Sequence, residues 1–294
     1  MEAVVENVPS GPPPRSFATV GSVTEPRHER FTRPELDGVY LNAMHWGEPG
    51  RPIVVLAHGG GANSHWWGRL APALATSFHV VAFDFRGHGE SDFPDALEPG
   101  DFESDLHGLL AHLEAPEAAL VGHSMGGEVV LRVAAAGRVR PRGVVLIDVA
   151  RGGDPRGRRK LRRALTIRHA YRSREDAVAR FRFVPQAVHA DEALREAIAS
   201  DSVHRDPDGR WSFKADPAWI DAVPSQAVDE ARVRCPVLFL RGAESGLCSE
   251  EGAKALVAGL PRGRLVTLAR AGHHVHLDAP DATAREIRRF LNSL

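Results

Sequence analysis

The sequence predicts an α/β fold in which a mostly parallel sheet is flanked by helices and interrupted by a helical insertion. Three observations carry this. Short apolar runs recur as "IVVLAH" (53–58), "HVVAFD" (79–84), "AALVGH" (118–123), "GVVLID" (143–148), "PVLFLR" (236–241) and "RLVTLA" (264–269). They are continuous rather than alternating, which fits strands buried on both faces. Helix-like stretches separate them at about 65–76, 101–114, 125–136, 249–258 and 280–293, and strands alternating with helices define an α/β sheet. The rhythm then breaks between about 151 and 230, where amphipathic pieces such as "RRKLRRALTIRHAY" and "DEALREAIAS" follow one another without an apolar strand run.

Taken in chain order, residues 1–26 are rich in proline and small polar residues and read as a flexible lead-in. Two acids and no apolar core in its first 17 residues argue against a signal peptide. "RFTRPELDGVYLNAMHW" (30–46) reads as two more polar strands around a turn at Asp37-Gly38. The core is expected over 27–150 and 231–294, with 151–230 as a helical cap.

Bulk properties exclude several classes. The chain has 294 residues and a net charge of −1, against the basic balance of nucleic-acid binders. No run approaches the roughly 18 apolar residues of a membrane span. The two cysteines, Cys235 and Cys248, form no CxxC pair, so neither a zinc knuckle nor a disulfide framework is expected. The expected setting is the cytoplasm, with a small-molecule substrate and no nucleic-acid or membrane partner. Oligomeric state is not legible. Ten Arg or Lys residues fall in 151–174; a solvated helical face explains them in a neutral chain, and an anionic ligand is the sharper alternative.

The strongest chemical signal is "VGHSMGG" (121–127), a G-x-S-x-G motif between a buried strand and a helix. Such a motif forms a nucleophile elbow, a tight turn that exposes the serine over a helix N-terminus. Ser124 is the candidate nucleophile. "LAHGGGANSHWW" (56–67) supplies a second strand running into glycines, so the amides of Gly60 and Met125 are the candidate oxyanion donors. His58 reads as a brace for this loop. "ARAGHHVHLDAP" (269–280) follows the last apolar run. There His273, after Gly272, is the candidate base, with His274 and His276 as rivals by composition. A metal site from these three histidines is not expected, since no other ligand cluster supports it. No cofactor is implied.

Together, "HGGGANSHWW", "DFRGHGESD" (84–92), "GHSMGG", "VVLIDVA" and "AGHHVHLDAPD" resemble the α/β-hydrolase superfamily in its capped, serine-nucleophile branch, in the same order. The resemblance implies an α/β-hydrolase fold and a Ser-His-acid triad. It gives "DFRGHGESD" a structural part, beside the site. It also implies hydrolysis of a carboxylic ester or lactone through an acyl-enzyme. Alternatives on the same fold are a C–C bond hydrolase, a lyase, acyltransferase or cyclase, and a silent binding protein. In many members the residue after "RGAES" is the acid, and here it is Gly246. Three solutions stay open. Asp148 ends the strand that follows the nucleophile's strand and helix, as in some members; Glu244 lies on the usual loop; or no acid is present. Trp66, Phe183 and Trp211 are the candidate pocket aromatics, drawn from a group that also includes Trp67, Phe181, Phe213 and Trp219.

Overall fold

The computed structural model describes residues 5–8, 25–152, 155–224 and 226–294. Its strands are β1 (Val5–Val8), β2 (Arg27–Phe31), β3 (Leu41–Trp46), β4 (Ile53–Ala57), β5 (His79–Phe83), β6 (Ala119–His123), β7 (Val144–Ile147), β8 (Val203–Arg205), β9 (Trp211–Phe213), β10 (Val237–Gly242) and β11 (Gly263–Leu268). The helices are α1 (Leu70–Ala75), α2 (Asp101–His112), α3 (Met125–Ala136), α4 (Pro155–Leu165), α5 (Arg174–Arg180), α6 (Glu192–Asp201), α7 (Trp219–Ala222), α8 (Glu250–Gly259), α9 (Val275–Asp278) and α10 (Pro280–Leu291).

Nine strands form one sheet in the order β1-β11-β10-β7-β6-β4-β5-β3-β2. β2 and β3 pair antiparallel, as does β3 with β5; every other pairing in the sheet is parallel. The apolar runs explain this arrangement. Val55, Ala57, Leu120, Leu146 and Phe239 join the cluster packed by α2, α3 and α8. Their neighbours Val54, Leu56, Val121, Ile147 and Leu240 face the opposite cluster, with residues of α1 and α10. Alternate side chains thus leave opposite faces of the pleat, and both faces must be apolar. This is why the runs do not alternate with polar residues.

Two expectations change. The stretch 1–26 was expected to be a flexible lead-in, yet Val5–Val8 pairs in parallel with β11 from Leu265 to Leu268. β11 has β10 on its other side only, and its open edge offers unpaired backbone groups to any extended segment within reach. The other residues of 1–24 lie outside the description. The stretch 151–230 holds α4 to α7, as the helical periodicity predicts, but also the β8–β9 ribbon. A bridge from Tyr171 to Trp211 extends that ribbon. Its three-residue strands are too short to show an apolar run.

The loop "DFRGHGESD" ties the sheet to this stretch. Asp84 is fully buried and accepts hydrogen bonds from Asn42 Nδ2 (2.9 Å), Ser64 N (2.6 Å) and Glu90 N (3.0 Å). Arg86 donates to Asp105 through its own amide (2.9 Å) and its Nε (2.7 Å), and pairs with Asp101 at 3.0 Å. From the other side, Gly89 N donates to Lys214 O and Asp216 N to Gly87 O. Removing one partner of a buried ion pair leaves the other charge uncompensated. Asp105→Ala is therefore expected to cost about 3–5 kcal/mol, read as a drop in the urea midpoint. Truncation of the exposed Glu192 should leave that midpoint nearly unchanged.

Candidate active site

The site is assembled where the carboxyl ends of β4, β6, β7, β10 and β11 meet. β6 ends at His123 and α3 begins at Met125, so Ser124 alone makes the turn. It does so at φ 50°, ψ −115°, a region costly to a residue with a Cβ. The turn closes only because its neighbours lack side chains. A Cβ on Gly122 would lie 2.4 Å from Gly126 O, and one on Gly126 would lie 2.4 Å from the carbonyls of Ala57 and His58.

Around this serine the structure brings together most of the expected residues. His273 Nε2 lies 3.1 Å from Ser124 Oγ. On its other side, His273 Nδ1 donates to Asp148 Oδ1 at 2.8 Å. Asp148 is fully buried and has φ 44°, a second non-glycine residue in the left-handed region. Its Oδ2 accepts the Gly242 amide (2.9 Å), and its Oδ1 accepts the Ser245 hydroxyl (2.5 Å). Glu244, the rival acid, turns away from this centre. It pairs with His189 Nε2 at 3.0 Å on the exposed side of the loop. The rival bases also fall elsewhere: His274 Nε2 donates to Pro185 O (2.7 Å), and the His276 ring lies against Trp67, with centroids 4.6 Å apart.

His58 braces the glycine loop. Its Nδ1 donates to Gly59 O (2.7 Å), and its Nε2 accepts the Phe85 amide (3.1 Å). Burial pulls its pKa down to about 4, in keeping with the neutral ring those two bonds require. Burial also lowers His88 and His276 to about 3, and holds His123 and His274 well below the ordinary value. Cys248 is buried, and burial pushes its thiol up to about 12, so it is no nucleophile at neutral pH.

A cavity of about 770 Å³ opens onto Ser124, and Gly60, Met125 and His273 line it. Trp66 lines it as expected. Phe183 and Trp211 do not: Phe183 stands behind Trp66, ring centroids 5.2 Å apart, and Trp211 is held in the ribbon by its pairing with Tyr171. Trp219 lines the cavity and lies so close to Gly60 that a Cβ there would meet its ring at 2.2 Å. A second cavity of about 530 Å³ shares Gly60, Trp66 and Trp219 with the first. Composition marked Trp219 as a candidate aromatic but could not rank it. Ser245 was not foreseen. Its signal is its place in "RGAES", directly before the residue that many relatives use as the acid. Among the described residues, His123, His273 and His274 form the group able to hold a metal ion, with His123 in place of the His276 considered from sequence.

The family model described as "Alpha/beta hydrolase family" matches residues 54–286, and the chain belongs to that family. It is 30% identical over 242 residues to the Escherichia coli K12 esterase YbfF, covering 81% of this chain and 92% of that protein. It is 26% identical to the esterase Rv0045c of Mycobacterium tuberculosis H37Rv, covering 94% and 96%. Among solved structures, E-2-(acetamidomethylene)succinate hydrolase superposes with a TM-score of 0.77 at 25% identity, covering 91% of this chain and 99% of that one. Among the described residues, no helix is long and apolar enough to cross a membrane.

Two outcomes follow from this geometry. Gly122→Ala places a methyl against backbone that cannot swing aside, so the variant is expected to lose at least about 3 kcal/mol or fail to accumulate in soluble form. The buried histidines set the acid response. Their folded pKa values lie below the unfolded 6.5, so below that pH the unfolded chain binds more protons than the folded one. Stability should hold above about pH 7, then fall as the pH drops through 6.5 toward 4 and 3, where His58, His88 and His276 protonate in place. Denaturant midpoints measured at half-unit pH steps check this.

Proposed function

We propose that this protein hydrolyses a carboxylic ester or lactone of a small molecule through a serine acyl-enzyme. The single observation that carries the reading is the His273 ring spanning 3.1 Å to Ser124 Oγ and 2.8 Å to Asp148 Oδ1. Esterases among the relatives support the bond type.

Ser124 Oγ attacks the ester carbonyl while His273 Nε2 takes its proton. The carbonyl oxygen gathers negative charge, which the amides of Gly60 and Met125 stabilise; Met125 also opens α3, whose N-terminus favours an anion. The imidazolium then protonates the leaving alkoxide as the C–O bond breaks. Water, deprotonated by His273, attacks the acyl-serine, and the acid and free Ser124 are released. Asp148 fixes the His273 tautomer and balances the imidazolium. The amide of Gly242 and the hydroxyl of Ser245 occupy acceptor sites on that carboxylate and keep it oriented. No cofactor enters these steps.

Residues 151–230 act as a cap that closes over the site and sets substrate choice. Leu165, Trp219 and Ile220 of this stretch form part of the cavity wall. The moved acid was the sequence feature that favoured a non-hydrolytic reaction; a carboxylate within hydrogen-bond distance of His273 supports the hydrolytic reading.

Ser124→Ala is expected to lower kcat on p-nitrophenyl butyrate by about 10⁴-fold or more and to abolish labelling by a fluorophosphonate probe. Asp148→Asn should cost about 10³–10⁴ in kcat, because the amide favours the wrong histidine tautomer. Glu244→Gln should stay within about threefold. A fully active Asp148→Asn protein beside a dead Glu244→Gln protein overturns the assignment of the acid.

A further inference from the structure

We propose that His123, His273 and His274 form a binding site for one divalent transition-metal ion of the zinc class, and that the bound ion silences the serine. The binding stands on its own geometry. Only the silencing rests on the reading of Ser124 and His273 given above.

One ring nitrogen from each of the three lies within 4.8 Å of one from each of the others. What each ring does with its other nitrogen makes this a site rather than a crowd. His273 Nδ1–H is held by Asp148 at 2.8 Å, His274 Nε2–H by Pro185 O at 2.7 Å, and His123 Nε2–H by His273 O at 3.0 Å. Carboxylate and carbonyl acceptors fix the proton on those nitrogens, so the opposite nitrogens carry the lone pairs. Among the described residues, His123 Nδ1 and His274 Nδ1 are buried and have no hydrogen-bond partner. Among the described residues, His273 Nε2 meets the Ser124 hydroxyl. A metal-binding histidine usually has this arrangement, with one nitrogen anchored by a carboxylate or carbonyl and the other free. It also removes a cost, since an unpaired buried acceptor is unfavourable.

All three residues line the cavity that holds Ser124, so an ion has a route in. A tetrahedral ion with bonds of about 2.0–2.1 Å holds its ligands roughly 3.3 Å apart, so the three rings must draw together to bind it. Ser124 Oγ or water supplies the fourth position. Neutral imidazoles select zinc, cobalt, nickel and copper over magnesium and calcium, which require oxygen ligands. Once His273 Nε2 binds the ion it cannot accept the serine proton.

The experiment titrates Co²⁺ into the metal-free full chain and follows the visible ligand-field bands. The wild type should bind one equivalent with the intense spectrum of a tetrahedral site, and Mg²⁺ should neither produce nor compete for it. Ser124→Ala should bind comparably. His274→Phe and His274→Ala should each weaken Co²⁺ binding by about tenfold or more, since loss of even an outer-shell partner typically costs about 10–100-fold. Two substitutions of different size, each checked by circular dichroism, separate loss of a ligand from loss of fold. Zn²⁺ should inhibit wild-type ester hydrolysis, and EDTA should restore it. Absence of Co²⁺ binding at millimolar concentration, or equal affinity in both folded His274 variants, overturns the site. Cobalt bound as described in a protein that cleaves no ester would sink the hydrolase reading and leave the metal site standing.

Discussion

The turn at Ser124 is the constraint on which the rest of the site depends. A residue with a Cβ held at φ 50° stores on the order of 1–3 kcal/mol of strain, and only surrounding structure keeps it there. Here that structure is close packing of backbone on backbone. Gly122 fits under Gly126, and Gly126 rests on the last carbonyls of β4. Because β4 and α3 approach this closely, the loop after β4 lies beside the serine. Because β7 pairs with β6 up to Ile147, the next residue, Asp148, emerges at the same level. The parallel register carries this outward to β10 and β11, whose ends deliver Ser245 and the histidine loop. One tight turn thus sets the height at which five strands present their ends.

The histidines around that turn illustrate how burial decides a side chain's part. His58, His88, His123, His274 and His276 are all buried, and burial is the largest cause lowering the pKa of each. His58, His88, His123 and His274 brace loops through one or both nitrogens, and His276 packs against the Trp67 ring. His273 differs in having a fully buried carboxylate on one side and the serine on the other. The same residue type serves as packing or, in the proposed reaction, as a base according to its partner.

Much of this was legible in the sequence, for physical reasons. Continuous apolar runs marked the central strands because both sheet faces are covered. The glycines of "GHSMGG" were informative because the turn admits no side chains beside the serine. Asp148 could be named as a candidate because functional groups gather at strand carboxyl ends, while Glu244 stayed open until the geometry was known. Other features were hidden. Trp211 was expected in the pocket, but the backbone bridge to Tyr171 fixes where it sits, and no composition reports a bridge between residues so far apart in the chain. Val5–Val8 was hidden because an edge strand needs only one partner and no apolar pattern. Trp219 and Ser245 owe their places to contacts made across the chain, with Gly60 and Asp148 respectively.

The hydrogen bond between Ser245 and Asp148 has an evolutionary consequence. The loop after β10 and the end of β7 meet at one carboxylate oxygen: Asp148 Oδ1 accepts the Ser245 hydroxyl from the later loop and faces the His273 ring. In the proposed reaction the later loop thus stands beside the seat of the negative charge, joined to it by the Ser245 hydroxyl. A lineage can gain a carboxylate on the later loop while the earlier one still serves, then lose the earlier one, without passing through an inactive ancestor. The acid can change its place in the chain while its place in space stays almost fixed. Descent within such a family is then better traced through the serine and histidine than through the acid.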